Sequence, residues 1–356
     1  MTDSNHFSTK AHLTTHSLSP DNQETPISFL QTDTVTDRLF YRRNHHPYPQ
    51  IFANHFIIPI TGLVQSPLQL SMQEMLQLPS RTVECVLECA GNKRQFFSPK
   101  VFGEQWGKGA ISQGVWKGVP LGTVLELAGI DKHANEVVFE GYDFGKRTDL
   151  DQDYTFARSL PMEKALHPDT LIAYEYNHQP IPFKHGYPLR LIVPQWYGMA
   201  SLKWLKGITV IDGTFNGPYQ TIDYVYYPNK ENDEGSFPVT TLNVNSTIQK
   251  PVDRDTLDTG EQQVTGIAWT GAGKISKVEI SLDNGTTWED ASLKYSDMKA
   301  YGWVSWTYTK DFREKGEYTI LSRATDTYGR VQPLEPFWNR KGYGYNAIDC
   351  VVIKVE

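Results

Sequence analysis

Cysteine is scarce: Cys85, Cys89 and Cys350 are the three in a chain of 356 residues. That number excludes a disulfide framework and fits a reducing compartment. Long apolar runs are also missing. No stretch approaches the roughly 18 to 20 consecutive apolar residues of a membrane-spanning helix, so no such span and no membrane partner is expected. Basic charge is not in excess, with 34 Lys and Arg against 41 Asp and Glu and a net charge of -7. An acidic chain argues against a nucleic-acid or other polyanion surface, although a cationic pocket can hide inside an acidic total. The opening stretch MTDSNHFSTKAHLTTHSLSPDNQETP has no apolar segment and no twin arginine. It does not read as a signal peptide. The expected location is the cytoplasm, or the periplasm if a leader has been removed.

What is present is a large apolar fraction, 39% hydrophobic and 12% aromatic. That supplies more core than one domain usually holds, and two domains are expected. Residues 1–35 are polar and read as a loosely ordered tail. Between residues 36 and 226 helical and strand patterns mix without regular alternation. Leu70–Pro79 has helical spacing, and LGTVLELAGI reads as a short amphipathic helix ending near Gly129. RTVECVLEC, NEVVFEGYD, Leu171–Tyr176, Leu189–Val193 and Ile208–Ile211 read as strands. This mixture predicts an α+β class. Residues 227–236, YPNKENDEGS, read as a linker. Residues 237–356 lose the helical signal. There Asn284-Gly285 sits between alternating runs as a hairpin turn, because both residues tolerate positive φ. Several short strands at such spacing predict a β-sandwich of immunoglobulin type.

Cys85 and Cys89 are four apart in a predicted strand. They then share one face at a separation of about 13 Å, too far for a disulfide, which needs Cα atoms within about 7 Å, or for a shared metal. The residues after Cys89 differ in kind. Ala90, Gly91 and Asn92 end the strand with small residues, and Lys93 and Arg94 follow as cations. Positive charge beside a thiol favours the thiolate, the form that binds metals or attacks electrophiles. The same residues are compatible with a buried small side chain at a strand end, and the local pattern leaves both readings open.

ECAGNKR resembles the cysteine motif C-A-G-N-R-R of the sulfite oxidase family of molybdenum enzymes. FYRRNHHPYP is similar to that family's R-N-H-x-P segment, and WGKGAIS to its W-x-x-G-A-I-S. EGYD, HGYPLRLIVPQWYGMASLKW and WNRKGYGYNAI resemble its later blocks in the same order. Six blocks in order between about residues 39 and 350 cover nearly the whole chain after the tail. The resemblance implies a molybdenum-cofactor domain of the sulfite oxidase type over residues 36–226 and a dimerisation domain over 237–356. The implied cofactor is Mo-molybdopterin, with Cys89 as the thiolate ligand, a soft donor suited to such a metal. Cys85 is not required, because the cofactor brings its own sulfurs. By motif position Asn44, His45, Asp143, His185, Arg190, Ser201 and Lys203 would hold the pterin and its phosphate, the Arg and Lys supplying charge-assisted donors. Arg43, Arg94, Trp106 and Lys341 would line the substrate pocket.

The implied reaction is oxidation of sulfite to sulfate, by a homodimer. Alternatives are a sulfane dehydrogenase-like subunit acting on another sulfur compound, another oxyanion such as nitrate, and a non-catalytic immunoglobulin-like binding protein. Three positions depart from the pattern. Lys93 replaces an arginine, and Lys341 stands where animal enzymes have arginine, with Arg340 beside it as a possible substitute. The pocket tyrosine expected after KWL has no clear counterpart, with Phe215, Asn216 and Tyr219 near that place. No C-x-x-C-H haem-attachment motif occurs. No haem is expected in this chain, and electrons are expected to leave to oxygen or to a separate cytochrome.

Overall fold

The computed structural model describes residues 12–52, 55–295 and 300–356. Residues 1–11, the first part of the expected tail, lie outside the described residues. Residues 12–35 do not form a loose tail. Thr14–Leu18 pairs antiparallel with Asp21–Glu24, and the hairpin continues into an isolated bridge between Gln23 and Arg42. Thr25, Leu30 and Val35 are buried. The polar residues that suggested disorder are spent on backbone partners. Glu24 accepts from the N–H groups of Gly107 and Gly109, at 3.0 Å each, and Asn22 Oδ1 accepts from Asn44 N–H at 2.7 Å.

Two five-stranded sheets carry the first half. In one, Arg81–Glu88 pairs antiparallel with Ile111–Pro120, and that strand with Leu171–Tyr176. Gln179–Pro180 and Arg190–Ile192 complete it. The other runs in the order Leu68–Ser71, Ile57–Gly62, Leu205–Ile211, Glu136–Arg147, Gln152–Pro161. The expected helix at 70–79 begins later, at Met72. Leu70 is paired opposite Ile58, and Ser71 caps the helix by accepting from Glu74 N–H while its own N–H bonds the Glu74 carboxylate. Leu121–Ala128 turns Leu121, Val124, Leu125 and Ala128 into the core and ends at Gly129 in the left-handed region, φ 72°. The other α-helices among the described residues are single turns, Met162–Ala165 and Pro218–Thr221. The mixture of helices and strands expected for the first half is present but uneven, a β-rich arrangement with few helices. Its central strands are buried almost continuously, as in Ile111–Pro120 and Leu171–Tyr176, so both faces of that sheet are covered.

No described residue after Thr221 is helical. The later sheets have the orders Asn245–Lys250, Gly260–Trp269, Val304–Phe312, Ser292–Lys294 and Thr256–Leu257, Asp349–Val355, Gly316–Asp326, Ile275–Ser281, Glu289–Asp290. Their own core gathers Ile248, Val264, Val278, Trp306, Ile320 and Ile353. Asn284 and Gly285 both have positive φ, 56° and 86°, at the turn between Ile275–Ser281 and Glu289–Asp290. The linker stretch is an exposed loop closed by a short pairing of Val225–Tyr226 with Phe237–Pro238. The larger core is shared between the two halves. Val239, Leu242, Ile267, Trp269 and Trp303 pack in the same cluster as Val86, Leu87 and Cys89.

Cys85, Cys89 and Cys350 are all free thiols. Cys85 is fully buried opposite Gly114, and burial pushes its thiol up to about 12. Its role is packing. Cys85→Ala is expected to cost about 1 kcal/mol in urea denaturation and to leave molybdenum content intact; loss of metal would show that Cys85 belongs to the site.

Candidate functional site

The site is built where Arg81–Glu88 ends. Cys89 N–H bonds Ala110 O at 2.9 Å, and Asn92 N–H returns to Cys89 O at 2.8 Å, closing the turn. Asn92 Oδ1 also accepts from Ala110 N–H at 3.0 Å. A Cβ at Gly91 would lie 2.6 Å from Arg94 Nη1, so any larger residue there would displace the guanidinium. Lys93 takes the left-handed conformation, φ 63°, and this sends its side chain away from Cys89. Its Nζ bonds Asn245 Oδ1 at 2.8 Å and Ser246 O at 3.0 Å, with Asp349 at 3.9 Å. The expectation that Lys93 and Arg94 both approach the thiol is corrected. Arg94 does so, and the second guanidinium is Arg43. Burial pushes the Cys89 thiol up, and Arg43 and Arg94 oppose that shift.

The later half holds this turn from behind. Glu88 is buried, accepting from Trp269 Nε1–H at 2.8 Å and Asn92 Nδ2–H at 3.0 Å. Gly344 N–H bonds Ala90 O at 2.8 Å. Arg94 Nε donates to Lys341 O at 3.0 Å and Gly342 O at 3.2 Å, and its Nη1 donates to Glu104 O at 3.0 Å. Its plane faces the Tyr343 ring at 5.1 Å.

Two adjoining cavities share Arg43, His45, Cys89 and Tyr224 as walls. The inner one is lined further by Asp143, His185, Arg190, Ser201 and Lys203. Arg190 donates to the carbonyls of His185 and Ser201, at 2.8 and 2.7 Å. Ser201 Oγ accepts from Val193 N–H at 3.0 Å. His185 donates from Nε2 to Asp37 O at 3.1 Å, and burial holds its pKa down at about 3, so the ring is neutral. Burial pushes the Lys203 ammonium down and the Asp143 carboxyl up. Lys203 Nζ donates to Arg43 O at 3.1 Å and to Asn44 Oδ1. Asp143 Oδ1 and Arg190 Nε are buried without a hydrogen-bond partner. An acceptor and a cationic donor left open on one cavity suit a polar, anionic group with N–H donors of its own. That is the donor set a pterin with a terminal phosphate needs.

The outer cavity, about 490 Å³, adds Arg94, Lys341, Arg147, Tyr219, Asp223 and Tyr343 to the shared walls. His45 Nε2 lies 2.7 Å from Tyr224 Oη. Burial, then the charge of Arg43, holds His45 well below its usual range, and burial pushes the Tyr224 hydroxyl up. A neutral imidazole therefore faces a protonated phenol. Tyr219 Oη pairs with His46 Nε2 at 2.7 Å, while Phe215 and Asn216 are not among the lining residues.

Two residues expected at the site are placed elsewhere. Trp106 is fully buried with its ring 4.7 Å from His16 and walls neither cavity. It is covered by the hairpin at residues 14–24. Asn44 also stands behind the wall, its Nδ2 donating to Asp21 O at 2.6 Å. Arg340 does not stand in for Lys341: it pairs with Asp233 and lies over Tyr227 at 4.6 Å. Arg147 and Tyr224 were missed. Arg147 lies outside every quoted motif, and Tyr224 sits in "TIDYVYYP", where nothing local separates it from its neighbours.

The molybdopterin-binding domain of oxidoreductases matches residues 45–219, and the Mo-co oxidoreductase dimerisation domain matches residues 236–356. The sulfite oxidase of Arabidopsis thaliana is 33% identical, over 93% of this chain and 91% of that protein. The mitochondrial sulfite oxidase of Rattus norvegicus is 32% identical over 96% of this chain. The chain spans 66% of that relative's length. Among solved structures, the sulfane dehydrogenase SoxCD from Paracoccus pantotrophus matches with a TM-score of 0.84 and 24% identity, over 100% of this chain and 95% of that one. At that identity it shows the shared fold. The chain belongs to the sulfite oxidase family of molybdopterin-dependent oxidoreductases.

Proposed function

We propose that this protein oxidises sulfite to sulfate. The observation that carries the reading is that Arg43 and Arg94 face the same cavity as Cys89 with backbone carbonyls rather than carboxylates as their closest acceptors. Two fixed guanidiniums without a directly paired carboxylate are what a small desolvated oxyanion needs. Asp143, His185, Arg190, Ser201 and Lys203 would hold the pterin and its phosphate, and Cys89 would ligate the metal. The bound molybdenum cofactor supplies the two-electron oxygen-transfer chemistry. Arg43 and Arg94 bind and orient the anion. Tyr224, kept protonated, donates a hydrogen bond beside the thiol, and neutral His45 fixes its hydroxyl. In balance, sulfite and one water give sulfate, two protons and two electrons, which pass to a separate cytochrome or to oxygen.

The size of the outer cavity, far beyond that of a four-atom oxyanion, favours as second reading a larger sulfur compound. The later two-sheet unit is, in the same proposal, an immunoglobulin-like domain through which the chain forms a homodimer. Purified protein is expected to contain close to one molybdenum per chain and to reduce ferricyanide or cytochrome c with sulfite. Protein without molybdenum, or metal-loaded protein inert toward sulfite, overturns the reading; a monomer by light scattering overturns the dimer.

A further inference from the structure

The cations around the outer cavity fall into two kinds. Arg43 and Arg94 make no ion pair among the described residues. Their guanidiniums bond carbonyls of Asn44, Glu104, Lys341 and Gly342. Lys341 and Arg147, on the same cavity, converge on one carboxylate. Asp223 Oδ1 accepts from Lys341 Nζ at 3.3 Å, and Asp223 Oδ2 accepts from Arg147 Nη1 at 2.7 Å. Arg147 is fixed further by Asp149, at 3.1 and 2.6 Å, and lies over the Tyr219 ring at 4.9 Å. The Asp223 side chain is only 14% exposed, against 55% for Asp149, so its charge is the less screened of the two. It stands next in sequence to Tyr224 and lines the cavity.

We propose that Asp223 is a specificity-determining residue that acts as a built-in counter-anion. It neutralises Lys341 and Arg147, so that an incoming oxyanion is held by Arg43 and Arg94 alone. An anion held by four free cations would bind tightly and leave slowly, and the fully dianionic product would leave slowest. A fixed carboxylate in a partly desolvated site repels a second anion over several ångströms, and this repulsion keeps the site emptying. The inference rests on the reading that the cavity takes a small oxyanion, and it assigns to Asp223 the weakening of that binding.

Sulfate is the probe, because its binding needs no turnover. Isothermal titration calorimetry on the cofactor-loaded protein is expected to show the sulfate Kd falling tenfold or more in Asp223→Asn. It should rise in Lys341→Met, which leaves the carboxylate uncompensated. In steady state, Asp223→Asn should lower both KM for sulfite and kcat, the latter because sulfate leaves more slowly. A merely structural role would weaken binding in both variants. Sulfate binding unchanged or weaker in Asp223→Asn, or absent from every variant, overturns the proposal. Should that variant fail to fold, Asp149→Asn, which frees Arg147 in part, is expected to tighten sulfate binding about threefold; no tightening there overturns it equally. Wild-type protein that binds sulfate with this pattern yet does not oxidise sulfite would remove the proposed reaction and leave the role of Asp223 standing.

Discussion

Replacing Cys89 by serine is expected to cut sulfite oxidation by about a thousandfold or more, because a hard, weakly acidic hydroxyl replaces the soft thiolate donor. The fold should survive. The two side chains are nearly isosteric, and the hydrogen bonds that close the turn, Cys89 N–H to Ala110 O and Asn92 N–H to Cys89 O, belong to the backbone. The serine variant should therefore unfold at close to the wild-type midpoint, and any visible absorption from sulfur-to-metal charge transfer should change. Steady-state assay with ferricyanide, read beside molybdenum content, separates loss of the ligand's chemistry from loss of the cofactor. Undiminished turnover in the serine variant would remove Cys89 from the site.

The second large effect is expected far from the substrate, at Asp349→Asn. Asp349 is buried on the last strand. Its Oδ2 accepts from Lys108 Nζ at 2.9 Å and from Ile248 N–H at 2.8 Å, and its Oδ1 lies 3.9 Å from Lys93 Nζ. Burial pushes Lys93 down to about 8, and Asp349 is the leading group that opposes this. Taking away the carboxylate charge leaves Lys93 uncompensated where it is buried and Lys108, half-buried, without its closest partner. Breaking a buried pair on one side costs about 3–5 kcal/mol, which should appear as a lower denaturation midpoint in urea or heat. Pairing the change with Lys108→Met should recover part of the loss, since one uncompensated cation then remains in place of two. Stability unchanged within about 0.5 kcal/mol would mean that water reaches the cluster and screens it.

Several elements were legible because their residues carry the pattern locally. Arg81–Glu88 is rich in β-branched and apolar residues, Leu121–Ala128 has one apolar face, and Asn284-Gly285 marks a tight turn. The hairpin at residues 14–24 was not legible, since its polar side chains find their partners far along the chain: Asn22 and Glu24 accept from backbone N–H groups of Asn44, Gly107 and Gly109, and Asp21 from the side chains of Tyr48 and Lys184. The direction of Lys93 was hidden for a related reason. A single left-handed residue after the cysteine turn sends one cation back into the sheets of the later half and the next toward the cavity, and the sequence shows only two adjacent basic residues. Arg147 reaches the outer cavity from the far end of a 12-residue strand whose register shifts between Glu140 and Phe144. That shift decides which side chains arrive together, and no motif marks it. The cysteine turn and the lining of the inner cavity were readable because the resemblance named them residue by residue.

The shared core has a consequence for inheritance. The turn bearing Cys89 is backed by Trp269, Asn245, Lys341 and Gly344, and Cys89 itself packs in one cluster with Ile267 and Trp303. A recombination event in the exposed loop 227–236 would join two polypeptide modules cleanly and still leave Glu88 and Lys93 facing a foreign surface. Exchanging one segment without the other would cost these contacts, and the constraint on the cysteine turn reaches residues such as Trp269 and Asn245 that line neither cavity.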